Sequence, residues 1–239
     1  MNDRPLDPPP APDRPRPDPL RFAGAPPPIN PGKAVPRCVA CGLHVPICLC
    51  GEVTPLATRT RVVVVMHRHE WHRTSNSGRL TAVCLTQGAV RVRGNLEAPL
   101  DLSDVADPTR RVVALYPREG AAPLSPEWIA ADPRPVTLVV PDGNWKQAGR
   151  TLRREGPLAT LPCVRLPEGR ASAYRLRSHP DPVRLATFEA IARALGVLEG
   201  EPVAEQLLHW FQVFVDRSLW CRGVLPEAEV TAGIPRKDW

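Results

Sequence analysis

Three short aliphatic runs decide what this chain can fold into: RVVVVM at 61–66, RVVALY at 111–116 and VTLVV at 136–140. Each is β-branched, of strand length, and closed at its far end by His67, Pro117 or Pro141. They are apolar at successive positions, so both faces of each strand must be buried. Continuous aliphatic strands separated by helical periodicity imply an α/β domain, a mostly parallel sheet flanked by helices on both faces. A shorter CVRL segment at 163–166 reads as a fourth strand. Ser75, Asn76, Ser77 and Gly78 offer N-cap chemistry for a helix beginning near Arg79. Further helical patterns run from about 145 to 154, over 183–195 and over 203–222, the last amphipathic through Leu207, Leu208, Phe211, Phe214 and Leu219. Ligands of such sheets bind outside the carboxyl ends of the strands, where the polar clusters 67–76, 116–119 and 142–145 all fall.

Proline separates this domain from what precedes it. The 239 residues include 31 prolines, 13 of them in residues 1–36, where they alternate with Asp and Arg and accompany few apolar side chains. Such a stretch cannot bury enough apolar surface to offset its ordering entropy, so 1–36 reads as a disordered tail. A cysteine knuckle at 37–54 and the α/β domain at 55–230 follow. The chain opens without an apolar signal segment, and its longest aliphatic run is far short of the roughly 20 residues of a membrane span. It therefore reads as a soluble, cytoplasmic protein with no membrane contact, and no sequence feature points to a protein partner.

The formal charge is +6, and its distribution says more than its total. Residues 146–177 hold eight basic side chains against two acidic ones, and residues 59–93 hold seven arginines against Glu70. Two arginine-dense windows in an otherwise acidic chain form an electrostatic footprint for phosphate, most simply nucleic acid, or else decorate solvated helix faces.

Seven cysteines, an odd number, argue for a metal site or free thiols over a disulfide scaffold. Cys38, Cys41, Cys48 and Cys50 have the spacing C-x2-C-x6-C-x-C, which can offer four thiolates to one Zn²⁺ with Gly42 at the tight turn. A four-thiolate site has no open coordination position, so its role is structural. Cys84, Cys163 and Cys221 lie in apolar patterns and read as core fillers. His67, His69 and His72 follow the first strand as H-x-H-x-x-H, a spacing also found in metal-dependent hydrolases of the metallo-β-lactamase type. That pattern carries an Asp before its last His, where this chain has Trp71, so His67, Glu70 and Arg73 read better as a strand-end loop meeting a polar ligand.

Read in order, five blocks resemble the DTW-domain family. They are His67, Glu70, Arg73, Ser75, Asn76, Ser77, Gly78, Arg79 and Leu80; then Leu115-Tyr116-Pro117; then Asp142, Trp145 and Ala148; then Ser172, Tyr174, Leu176 and Arg177; then Leu185, Thr187, Glu189 and Ala190. The cysteine knuckle and the closing segment from Leu219 to Gly223 fit as well. Two positions depart: Asn144 stands where the family name has Thr, and Ala186 stands in the usual Leu-Ser-Thr. The resemblance implies a SPOUT-like fold with a C-terminal trefoil knot. The implied enzyme moves the 3-amino-3-carboxypropyl group of S-adenosylmethionine to N3 of a tRNA uridine and releases 5′-methylthioadenosine. A SPOUT-like RNA methyltransferase and a non-catalytic zinc-knuckle RNA-binding module are the alternatives.

In that reading Asp142 is the general base that takes the N3 proton, or else the N-cap of the following helix. Trp145 stacks on adenine or on the target base, or else packs in the core. Gly143, Asn144, Tyr174, Leu176, Arg177, Thr187 and Glu189 are the candidate donor-binding residues; Glu189 would hold the donor's amino group or else solvate its helix. His67, Glu70, Arg73, Ser75, Asn76, Arg79, Lys146, Arg150 and Arg153 are the candidate RNA contacts.

Overall fold

A computed structural model describes residues 19–25, 35–95, 99–169, 171–176 and 185–235. The three aliphatic runs become β1 (Arg61–His67), β3 (Arg111–Leu115) and β5 (Val136–Asp142), and the CVRL segment supplies β6 (Cys163–Arg165). With β2 (Gly88–Arg93) and the two-residue β4 (Ala122–Pro123) they form one sheet in the order β2-β1-β5-β3-β6-β4. Every neighbouring pair is parallel.

The strand period of two sorts the apolar side chains onto two faces. Val62, Val64, Met66, Leu138 and Val140 share one core with Leu80, Phe188, Ile191, Leu195, Leu207, Phe211 and Phe214. Those partners lie on α2 (Leu80–Cys84), α6 (Thr187–Glu199) and α7 (Glu201–Trp220). Val63, Val65, Ala114 and Val139 point to the other face, against Leu152 of α4 (Trp145–Arg154) and Leu158 of α5 (Gly156–Ala159). Val62 to Val65 have no exposed surface, and each such side chain is worth about 1.5–3 kcal/mol of burial. Short α1 (Arg68–Trp71) and α3 (Pro126–Ala130) complete the helices of the described residues. None of the helices there is long and apolar enough to cross a membrane.

Three findings differ from the sequence reading. The basic window 59–93 contains an unexpected strand: β2 puts Val90 and Val92 in the core and buries Arg91 as well. Residues 19–25, inside the proline-rich stretch, cover the outer edge of β2. Val92 N–H donates to the Ala23 carbonyl at 3.1 Å, Arg21 Nε donates to the Gly88 carbonyl at 3.0 Å, and Phe22 meets Trp71 edge-on at 5.8 Å. A covered edge cannot recruit a foreign strand. The rest of 1–34 lies outside the described residues. Last, Ala40, Cys41, Leu43, Ile47 and Leu49 belong to the same core as the sheet, so the cysteine knuckle is packed onto the domain. The chain between β6 and α6 includes 177–184, outside the described residues, and the trefoil knot is an implication of the resemblance alone.

Gly200, at φ 110°, closes α6 in a conformation that L side chains rarely adopt, and Pro202 starts α7 at its first turn. The two helices return against each other so closely that a Cβ at Gly196 would lie 2.9 Å from that of Ala204. From α7 the fully buried Arg217 holds both carboxylate oxygens of Glu52 at 2.8 Å and donates to the carbonyls of Ile47 and Gly233. One guanidinium thus pins the knuckle and the segment after α7 to the core. Removing its carboxylate leaves a buried charge unpaired, so Glu52→Gln is predicted to lower stability by about 3 kcal/mol, read from the urea midpoint of the purified chain.

Candidate active site

Asp142 is the last residue of β5 and is paired in register with Met66 of β1, in the middle of the sheet at its carboxyl edge. Its side chain is buried. One carboxylate oxygen accepts from Asn76 Nδ2 at 2.5 Å, and the other accepts from the hydroxyl of Thr187. These donors come from the loop after β1 and from the first turn of α6, so one carboxylate joins three separate segments. Gly78 lies against it: a Cβ there would be 3.2 Å from Asp142 Oδ2. Beside it Ser77 Oγ accepts from Phe188 N–H at 3.3 Å. The 75–78 cluster therefore bonds across the fold. Its side chains do not cap α2, whose N-cap residue Arg79 makes no side-chain cap bond.

The segment 171–176 closes over the same place. Tyr174 donates its hydroxyl to the Ser75 carbonyl and stacks on Phe211 at 5.8 Å. Glu189 is buried and accepts from Ser172 Oγ, from Ala173 N–H at 3.1 Å and from Arg193 at 3.0 Å. Its carboxylate fixes this segment to α6, so it neither solvates the helix nor stands open toward a ligand amine. Leu176 is buried, its carbonyl taking a bond from Arg222 at 3.1 Å. Arg177 lies outside the described residues.

Asn144 and not Asp142 is the N-cap of α4. Its Oδ1 accepts from Gln147 N–H, and Gln147 Oε1 accepts from Asn144 N–H, both at 2.9 Å, a complete capping box. Gly143, at φ 145°, provides the turn between strand and helix. Trp145 is 38% exposed and pairs with the Tyr116 ring at 5.5 Å, outside the core. Past it, Lys146, Arg150 and Arg153 share the exposed face of α4, opposite buried Ala148 and Leu152.

The other candidate RNA contacts divide by burial. Glu70, Asn76 and Arg79 are buried, so none of the three belongs to an open surface. Glu70 pairs with the exposed Arg73 at 3.0 Å. His67 Nδ1 accepts from His69 N–H at 3.2 Å and caps α1; burial and the nearby Arg93 hold its imidazole below its ordinary pKa. Ser75 is half-buried. The arginine window 59–93 is not one surface either. Arg61, at the opposite edge of the sheet, pairs with Asp107 at 3.7 Å, and Arg93 pairs with Glu155 at 2.7 Å.

The four cysteines converge. Their sulfurs all lie within 4.8 Å of one another, with Cys38–Cys50 at 3.7 Å and Cys41–Cys48 at 3.6 Å, and none is in a disulfide. A tetrahedron of sulfurs about 2.3 Å from a metal has edges of roughly 3.8 Å, so this cluster can hold a metal ion. Among the described residues no histidine or carboxylate group gathers comparably. Arg79 links the cluster to the carboxylate site. Its guanidinium donates to the Val39 and Trp71 carbonyls and lies over the Trp71 ring at 4.3 Å. Burial pulls its pKa down to about 10, opposed by Cys41, Cys38 and Asp142.

Residues 35–219 match the DTW domain. The chain belongs to the DTW-domain family. It is 30% identical over 188 residues to the tRNA-uridine aminocarboxypropyltransferase 2 of Macaca fascicularis, covering 76% of this chain and 62% of that protein. It is 29% identical over 179 residues to the Drosophila melanogaster protein of the same name, covering 72% of this chain and 70% of the other. The chain thus spans less than two thirds of the macaque relative's length. Among solved structures, the SAM-dependent rRNA:acp-transferase Tsr3 from Vulcanisaeta distributa aligns with 68% of this chain and 79% of its own, at 21% identity and a TM-score of 0.38.

Both departures of this DTW domain have a local structural reading. Asn144 caps α4 as a Thr there would, so the exchange keeps the cap. Ala186 brings no side-chain cap to α6, and Glu189 covers the Ala186 N–H at 3.4 Å instead, while Thr187, the retained member, reaches Asp142. The sequence reading gave Asp142, Thr187 and Asn76 three separate roles, as base, donor contact and RNA contact, with no sign that Asn76 and Thr187 both bond Asp142; Ser77 and Tyr116 stood in the family blocks without an assigned role. Two outcomes follow from the geometry. Asn144→Ala is predicted to cost about 1 kcal/mol in urea unfolding. Metal analysis of the purified chain is predicted to give one ion per chain, and Cys48→Ser to lose it together with a large fall in melting temperature, since such binding is worth about 10 kcal/mol of folding energy.

Proposed function

We propose that this chain is a tRNA-uridine aminocarboxypropyltransferase using S-adenosylmethionine as donor, with Zn²⁺ as the structural ion of its knuckle. The observation that carries the reading is the Asp142 carboxylate, held from two sides at the carboxyl edge of a parallel sheet, in a chain whose DTW-domain relatives bear that activity in their names. The residues fit a ligand rich in N–H groups. Asn76 Oδ1 is buried beside Asp142 without a hydrogen-bond partner, a deficit of about 1–3 kcal/mol that a ligand ammonium or imide N–H removes. Asp142, Asn76, Gly143 and the Tyr174 segment would hold the donor and the target base.

The bound donor supplies an electrophilic methylene carbon on a sulfonium leaving group. Asp142 removes the proton from uridine N3, which is a poor nucleophile while protonated. A carboxylate oxygen has more than one acceptor site, so the bonds from Asn76 and Thr187 are compatible with a proton arriving at the same group. Thr187 and Asn76 fix the carboxylate's direction. Attack in line with the departing sulfur depends on positioning more than on charge, because the sulfonium loses its charge as the bond breaks. Trp145, next to the Tyr116 ring, gives an exposed surface for stacking a base. Lys146, Arg150 and Arg153 beside it, with His67, Arg73 and Ser75 across the site, would meet the RNA backbone.

Purified protein incubated with S-adenosylmethionine and unmodified tRNA is predicted to yield 5′-methylthioadenosine and a uridine heavier by the aminocarboxypropyl group. S-adenosylhomocysteine with a methylated nucleoside would replace this reading by a methyltransferase. Asp142→Asn is predicted to slow single-turnover transfer at least 100-fold while tRNA affinity stays within twofold, the range of a lost general base. Unchanged turnover would leave Asp142 a structural role alone.

A further inference from the structure

Two open cavities lie side by side between the cysteine knuckle, the turn after α1 and the end of α7. One, open to solvent, is lined by Arg37, Cys38, Trp71, His72, Arg73 and Arg79, among others. The second, also open, shares Arg37 and Thr74 with the first, adding His44, Ser218, Cys221 and Arg222. Together they form a groove with four arginines and two histidines in its walls and no carboxylate. Arg37, Arg73 and Arg222 are exposed. Each has one known bond, to the Gly42 carbonyl, to Glu70 and to the Leu176 carbonyl respectively. A guanidinium has five donors, so each keeps capacity for a ligand. Below them the buried Arg79 has an Nε–H without a hydrogen-bond partner. That unmet donor lies in a residue that lines the groove, so it adds to the positive potential there.

A metal ion on four thiolates would carry net negative charge, which the neighbouring Arg79 and Arg37 would offset. Arg222 exceeds that need and Arg73 shares its charge with Glu70, so the groove stays attractive to an anion. Its position is specific as well. Gly78 touches Asp142, and the next residue, Arg79, lines the groove.

We propose that this groove binds a backbone phosphate of the RNA substrate, making the cysteine knuckle a second RNA-gripping surface separate from the basic face of α4. The inference rests on the transferase reading for the identity of the RNA. A guanidinium pair and a small polar turn suit the tetrahedral oxygens of a phosphodiester. The groove then sets where the strand runs relative to the reacting uridine, and the bases themselves go unread there.

The test is tRNA binding by the full-length chain as a function of salt, with Arg37→Gln and Arg222→Gln combined. The double variant is predicted to bind tRNA about tenfold more weakly at moderate salt, with the slope of log affinity against log salt shallower by about one or more. Because Arg37 and Arg222 also hold the Gly42 and Leu176 carbonyls, Arg37→Lys with Arg222→Lys, which keeps both charges, is predicted to retain the wild-type slope, so that loss of those contacts alone shows as weaker binding at an unaltered slope. Arg134→Gln, at the opposite edge of the sheet and already paired with Asp132 at 2.6 Å, serves as the charge control and is predicted to change tRNA affinity less than twofold. Equal losses in the control and the double variant, or an unaltered slope in the double variant, overturn the groove. A wild-type chain that binds tRNA with the predicted groove dependence yet transfers nothing contradicts the transferase reading and leaves the groove standing.

Discussion

A carboxylate at the edge of a sheet buried on both faces costs several kcal/mol unless donors meet it. Asp142 is met by Asn76 and Thr187, and that requirement orders much of the surrounding structure. Asn76 arrives on the loop that leaves β1, the strand beside β5. Thr187 arrives at the first turn of α6, with Glu189 two residues on fastening the Ser172–Tyr174 segment over the same spot. The parallel sheet brings the strand ends to one edge, and the carboxylate joins the loops that emerge there.

The cysteine cluster acts on this arrangement from outside. Through Arg79 it fixes the Trp71 carbonyl and the start of α2, and through Glu52 and Ile47 it is held by Arg217 of α7. The cluster can hold a metal ion, and the knuckle that carries it shares its core with the sheet. Its effect on the site is one of placement, since four thiolates leave no coordination position for chemistry.

Much of this was readable in the sequence, and for definite reasons. The runs giving β1, β3 and β5 are apolar at successive positions because both sheet faces are covered. The cysteine spacing carries its own geometry, and the ordered family blocks name the loops that meet at the site. What stayed hidden depends on tertiary partners. Asn76 and Asp142 are 66 residues apart and Thr187 and Asp142 are 45 apart, so their bonds have no local signal. Glu70, Arg79 and Arg91 read as surface charges, yet all three are buried, Glu70 against the neighbouring Arg73 and Arg79 against the Val39 and Trp71 carbonyls. β2 was obscured by its two arginines, and Asn144 takes the capping role that Asp142 also suits by residue type alone.

The most direct test of the central claim is nucleoside mass spectrometry of total tRNA from cells with and without the gene for this chain. Loss of 3-(3-amino-3-carboxypropyl)uridine in its absence, restored by the intact gene and not by a copy carrying Thr187→Val, is the predicted result. Unchanged levels of that nucleoside in cells lacking the gene would contradict the account.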